Sequence, residues 1–107
     1  MSLVVVLVTA PTPEKGAEIG QLLVTEKLAA CVNIIPGIRS IYQWEGKIQD
    51  DPEVLLLIKS TQDTLAALEK RVLEIHPYTT PEFVVLAPSQ VSKAYDAWAK
   101  ECVTHPH

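Results

Sequence analysis

Cysteine is scarce in this chain: only Cys31 and Cys102 occur, they form no CxxC pair, and no disulfide framework is indicated. Thiols used this sparingly are ordinary in reducing compartments. Basic residues are also few. Nine Lys and Arg, scattered singly except for Lys70-Arg71, stand against 13 Asp and Glu, for a formal net charge of −4. There is no basic stripe to neutralise phosphates, so nucleic acid is not an expected partner. Long apolar runs are missing as well. The longest, Leu3 to Val8, falls far short of a membrane span, and the N-terminus lacks the basic region of a signal peptide. The expected setting is the cytoplasm, with no membrane association. A GxSxG elbow, a Walker loop, a GxGxxG fingerprint and an HExxH pair are all absent, so the chain is not expected to be an enzyme. Repeats and low-complexity segments are absent too.

What is present suffices for a packed core. At 107 residues and 48% hydrophobic, residues 1–107 read as a single domain. Residues 3–9 are a continuous β-branched and Leu run, the pattern of a central strand. Thr12-Pro13-Glu14 supplies an N-cap, a proline at the first helical position and an early acid, and Ile19, Leu22 and Leu23 continue at helical spacing to about Lys27. Cys31 to Trp44 is strand-like, with Pro36-Gly37 as a bulge or bend. Glu45-Gly46 makes a turn, and Lys47 to Lys59 returns as the second arm of a hairpin. Ser60 or Thr61 is expected to cap a second helix carrying Leu65, Leu68, Val72 and Ile75 on one face, stopped by His76-Pro77. Phe83 to Ala87 is a short strand, and Ser89 leads into a last helix with Val91, Ala94, Tyr95, Trp98 and Cys102 on one side. The order βαββαβα with right-handed crossovers implies an α+β, ferredoxin-like sandwich: an antiparallel sheet with helices on one face.

The hairpin is too long for such a domain. Fully extended at about 3.3 Å per residue, the arm from 31 to 44 reaches roughly 46 Å. A domain of this size, with a radius of gyration of about 13 Å, is only roughly 35 Å across. A protruding ribbon carrying Ile41, Tyr42, Trp44 and Ile48 exposes apolar surface and strand edges that another subunit must cover. An oligomeric assembly with hairpins pairing across subunits is therefore expected.

The run His76-Pro77-Tyr78-Thr79-Thr80-Pro81-Glu82 gathers an imidazole, a phenol, two hydroxyls and a carboxylate between stiffening prolines. Such a segment is ordered at little entropic cost, which suits a preset site. Together with Leu28-Ala29-Ala30-Cys31-Val32-Asn33, Ile35-Pro36-Gly37, Tyr42-Gln43-Trp44-Glu45-Gly46-Lys47 and Ile58-Lys59-Ser60, this run resembles the CutA divalent-cation-tolerance family from Val4 to Trp98. The resemblance implies an intertwined homotrimer built through the 31–60 hairpin and a role in tolerance of copper and other divalent cations. Some members are described as binding copper through a cysteine late in the first strand and a His-His pair. Here those positions are Val8, Ile75 and His76, so only His76 carries over.

A copper(II) or zinc(II) ion needs several ligands around it, and one imidazole cannot supply them. His76, Glu82 and Cys31 are the candidate metal ligands, for copper(II) or another divalent cation, with no obligatory cofactor. Lys59, Tyr78, Trp44 and Tyr42 are the candidate walls of a ligand cleft between subunits, Lys59 serving as an anion anchor or as the ion-pair partner of Glu82. Each has a plainer reading. A histidine at a helix end favours the dipole, a strand cysteine is a small hydrophobe, and aromatic residues fill interfaces. Asp50, Asp51 and Glu53 form an acidic run that could attract hard cations weakly but reads as a solvated edge, and the tail residues His105 and His107 are discounted as ligands. The alternative function is a small-molecule sensor similar in architecture to the trimeric PII signalling proteins.

Overall fold

A computed structural model describes residues 2–103. The elements are β1 (Leu3–Ala10), α1 (Pro13–Thr25), β2 (Cys31–Trp44), β3 (Lys47–Thr61), α2 (Leu65–Ile75), β4 (Val84–Leu86) and α3 (Lys93–Cys102), with a short 3-10 turn, Gln62–Thr64, ahead of α2. The sheet order is β2-β3-β1-β4 with every neighbour antiparallel, so β1 is central as its unbroken apolar run requires. Among the described residues no helix is long and apolar enough to cross a membrane.

The core follows strand parity. Val4, Val6 and Val8 of β1 and Val54, Leu56 and Ile58 of β3 alternate onto one face, where Ile19 and Leu23 of α1 and Leu68 and Val72 of α2 cover them. Helix α1 sits very close to the sheet. A Cβ on Gly16 would stand 3.0 Å from a methyl of Val54, so glycine lets that helix approach. Thr12 caps α1, its hydroxyl accepting from the Lys15 N–H at 3.1 Å. The other end closes with Lys27 at φ 60, Lys27 N–H bonded to Val24 C=O and Leu28 N–H to Leu23 C=O, the paired bonds of a Schellman motif. Helix α3 is placed differently from the other two. It packs with Leu3 and Ala30, and Leu3 has the opposite parity to Val4, so the helices are not all on one face.

Two boundaries shift from the sequence expectation for identifiable reasons. Strand β3 runs on to Thr61 because Ser60 and Thr61 pair with Val4 and Leu3, leaving no residue free to cap α2 at that point. Helix α3 begins after Ser92, not Ser89, while Val91 packs beneath it from the preceding loop.

The hairpin protrudes as its length demands, and the molecule measures 44 × 28 × 23 Å. Its register slips between Ile35 and Ile38, the bulge foreseen at Pro36-Gly37, where Gly37 takes φ 74. Its tip is a two-residue turn, with Glu45 at φ 52 and Gly46 at φ 77, the positive pair that matches strand twist. Beyond the bulge the register divides the ribbon into two faces. Ser40, Tyr42 and Trp44 lie opposite Asp51, Gln49 and Lys47, while Arg39, Ile41 and Gln43 lie opposite Pro52, Asp50 and Ile48. One face is aromatic and polar; the other carries the two isoleucines, exposed at 66% for Ile41 and 73% for Ile48.

Candidate functional site

Where the hairpin leaves the body of the domain, the loop after α2 folds back toward it and encloses a cleft of about 610 Å³. Thr9, Ser40, Ile41, Tyr42, Trp44 and Glu53 form one side, and Pro77, Tyr78, Thr79, Thr80 and Glu82 the other. The loop is held by His76. Strand β4 pairs with β1 only over Val5–Leu7, and two residues further the His76 Nε2–H donates to the Thr9 carbonyl at 2.7 Å. Its Nδ1 accepts the Tyr78 N–H at 3.1 Å, which fixes a neutral tautomer with both nitrogens engaged. The His76 and Tyr78 rings then meet at a 52° tilt with centroids 4.7 Å apart. Tyr78 is thereby aimed at the hairpin, and its hydroxyl donates to Glu53 Oε2 at 2.7 Å.

The acidic run reads differently in three dimensions. Asp50 accepts a two-pronged bond from Arg39 at 2.8 and 2.6 Å, and this pairing holds its carboxyl below the usual range. Asp51 accepts the Tyr42 hydroxyl at 2.7 Å, and that bond raises the phenol, with burial and the nearby carboxylates adding to it. Glu53 is 9% exposed and lines the cleft. Burial, followed by the bond to Glu53, raises the Tyr78 phenol far above its ordinary value. Across the cleft, loss of water and then the charge of Glu53 push the Glu82 carboxyl above its ordinary 4.5. Among the described residues neither Glu53 nor Glu82 takes part in an ion pair.

The candidate residues divide into two groups. Tyr42, Trp44, Tyr78 and Glu82 converge on the cleft, and His76 braces it from behind. Cys31 and Lys59 do not join them. They face each other across β2 and β3, and Lys59 pairs with Val5, four residues along β1 from Thr9, a separation of roughly 13 Å. The expected Lys59–Glu82 ion pair is accordingly absent. Lys59 Nζ instead bonds Asn33 Oδ1, and Cys31 Sγ contacts the same oxygen at 3.9 Å. Cys31 also meets Tyr95 of α3, whose phenol is raised first by burial and then by Cys31. His76, Glu82 and Cys31 therefore do not surround one point, and among the described residues no three His, Cys, Asp or Glu do. His105 and His107 lie outside the described residues. Glu53, grouped in the sequence with Asp50 and Asp51 as a solvated edge, instead lines the cleft; its place in the alternation Asp51, Glu53, Leu55 put it on the same side of β3 as the partners of Tyr42 and Ser40, and that was the available signal.

Residues 4–102 match the CutA1 divalent ion tolerance protein family. The chain belongs to this family. It is 46% identical over 97 residues to the divalent-cation tolerance protein CutA of Thermus thermophilus, covering 91% of this chain and 94% of that one. The solved structure of the divalent cation tolerance protein Cut A1 from that organism superposes with a TM-score of 0.92 at 44% identity, over 95% of this chain and 99% of that one. CutA1 from Oryza sativa gives a TM-score of 0.93 at 42% identity, covering 97% and 95%. The chain spans only about half, 53%, of the chloroplastic CutA of Arabidopsis thaliana, with which it is 47% identical. A neighbour from Archaeoglobus fulgidus, 34% identical with a TM-score of 0.92 over 95% and 99% of the two chains, is described as periplasmic, so relatives of this fold occupy several compartments. The family's description names ion tolerance and no reaction.

Proposed function

We propose that this chain serves divalent-cation tolerance as a homotrimer clasped through the 31–60 hairpin, with the Tyr78–Glu82 cleft as its ligand site at each subunit boundary. The observation that carries this reading is the distal ribbon: Ile41 and Ile48 share one face and sit at 66% and 73% exposure. Apolar residues on an unpaired ribbon are an aggregation hazard until a second chain covers them. Exposed Val84, Val85 and Leu86 on the edge strand β4 extend the uncovered surface. Copper(II) or another divalent cation is bound weakly and through carboxylate oxygens, since both His76 nitrogens are already engaged. Two free thiols, Cys31 and Cys102, suit a reducing compartment such as the cytoplasm.

Sedimentation equilibrium tests the assembly. The purified protein is expected at about three times its 11.8 kDa chain mass, and the double variant Ile41→Lys/Ile48→Lys at the mass of one chain. A wild-type monomer, or a double variant that stays trimeric, overturns the hairpin as the clasp. Calorimetric titration with copper(II) is expected to weaken in Glu82→Gln; unchanged binding removes the cleft as the metal site. A second reading, a small-molecule sensor, is favoured by the cleft volume, which falls within the range of organic-ligand pockets and far exceeds the room one ion needs.

A further inference from the structure

Glu53 presents an electrostatic account that does not close within one chain. Buried carboxylates in folded proteins are ordinarily surrounded by a cation or several donors. Glu53 has a single bond, from the Tyr78 hydroxyl to Oε2, and no cation beside it among the described residues. The cleft it lines contains a second carboxylate, Glu82, three aromatic rings, Tyr42, Trp44 and Tyr78, and no lysine, arginine or histidine among its described lining residues. Elsewhere on the chain the acids do find cations: Asp50 holds Arg39, Glu26 holds Arg71, and Asp96 holds Lys100. What sets Glu53 apart is burial: it is the one buried acid among the described residues, and no such ion pair includes it.

The chemistry of the walls narrows what supplies it. A phosphate-bearing ligand requires basic groups or helix N-termini, and this lining offers neither. A bare metal ion requires several oxygens within about 2.6 Å, and no three acidic, histidine or cysteine groups converge here. Aromatic faces beside carboxylates are the recognition pattern for an organic cation, whose charge attracts the rings while its donors reach the acids. The hydroxyls of Ser40, Thr79 and Thr80 add acceptors along the same walls. The volume accommodates a ligand of several carbons, not an ion alone.

We infer that the cleft binds a small organic ammonium or guanidinium compound, its charged head between Glu53 and Glu82 and its body against Tyr42, Trp44 and Tyr78. This rests on the cleft being the ligand site, and it deepens that reading by naming the ligand class. Divalent cations then compete for the same carboxylates without being the ligand that the walls are built for.

Titration of the assembled full-length protein with matched probes tests it: phenethylammonium, agmatine as a guanidinium, and phenylacetate as the anion of similar shape. The two cations are expected to bind and raise the melting temperature, with phenylacetate at least about tenfold weaker, the magnitude of one charge-assisted bond. Glu53→Gln and Glu82→Gln are each expected to weaken the cations about tenfold, with phenylacetate unaffected or improved. Should Glu53→Gln fail to fold, Glu82→Gln carries the same test from an exposed position. Equal binding of acid and amine, or amine binding indifferent to both substitutions, overturns the inference. Copper(II) binding that depends on Glu82 with no response to either amine overturns this inference and leaves the cleft reading standing. Silence of every probe, metal included, brings down both. A lysine or arginine of a neighbouring subunit seated on Glu53 in a crystal structure of the assembly also overturns it.

Discussion

The two halves of one hairpin share a ladder but not an environment. Near the base, Val32 and Ile34 pair with Ile58 and Leu56 beneath α1, and Val54, Leu56 and Ile58 are sealed from water. Past the bulge the same two strands continue the same ladder, yet Ile41 and Ile48 stand in solvent. Backbone pairing is equally good in both halves, so it does not decide burial. What decides it is the presence of a second layer, and α1 with α2 is too short to cover the whole ribbon. The distal half compensates its polar groups across the strands instead, Arg39 to Asp50 and Tyr42 to Asp51, and leaves its aliphatic face unfilled. The hairpin is thus one element with two environments, a base packed into its own core and a tip whose aliphatic face the proposed assembly would cover.

The largest effect should come from the base. Leu56→Ala removes a fully buried side chain packed among Val6, Ile19 and Leu68 and is expected to cost about 2–5 kcal/mol in chemical denaturation. The cavity cannot collapse easily, because α1 is already at contact distance through Gly16. A loss below about 1 kcal/mol would mean that the base is no better packed than the tip, and the contrast would fail.

The contrast was partly legible in the sequence. Local signals located the bulge at Pro36-Gly37, the turn at Glu45-Gly46 and the cap at Thr12, because each depends on one or two residues with a restricted conformation. The overhang followed from counting residues against the size of a domain. Register was not legible. Whether Lys59 faces Glu82 or Asn33 depends on which residues of β2 and β3 pair, and the apolar pattern of Val54 to Ile58 tolerates either answer until β1 fixes it. The candidate metal ligands dispersed for the same reason, since Cys31 sits opposite Lys59 at the far end of the sheet from Thr9 and His76. Glu53 read as one of a solvated run with Asp50 and Asp51, and strand alternation, not composition, separates it from them.

At the junction of the two halves, His76 offers a second test, smaller than the first. The buried ring bonds Thr9 through one nitrogen and Tyr78 through the other, so His76→Ala strands the Thr9 carbonyl and releases the loop. The expected loss is about 1–3 kcal/mol of stability, the penalty for an unsatisfied buried group. Copper(II) titration should be unchanged in the folded variant, because no ring nitrogen is free to ligate. A variant of wild-type stability that loses copper binding would make His76 a ligand and not a brace.

The smallest effect separates the paired acids of the ribbon from the unpaired acids of the cleft by their sign. Asp50 is held low by Arg39, so its contribution is present above its unfolded pKa and disappears as pH falls through the lowered folded value. Glu82 is held high, first by loss of water and then by Glu53, so its contribution is present below the ordinary 4.5 and is lost as pH rises through the raised folded value. Glutamine at position 82 cannot ionise and escapes that loss. Melting curves of wild type and Glu82→Gln between about pH 4 and about pH 8 should therefore diverge as pH rises, with the variant the more stable by a small margin at neutral pH, since solvent screens an exposed carboxyl. The gap should close on acidification. A gap that instead favours the wild type near neutrality would mean that Glu82 ionises beside a cation in the assembled protein. The cleft would then be as well paired as Arg39 and Asp50 and would have no charge left to offer a ligand.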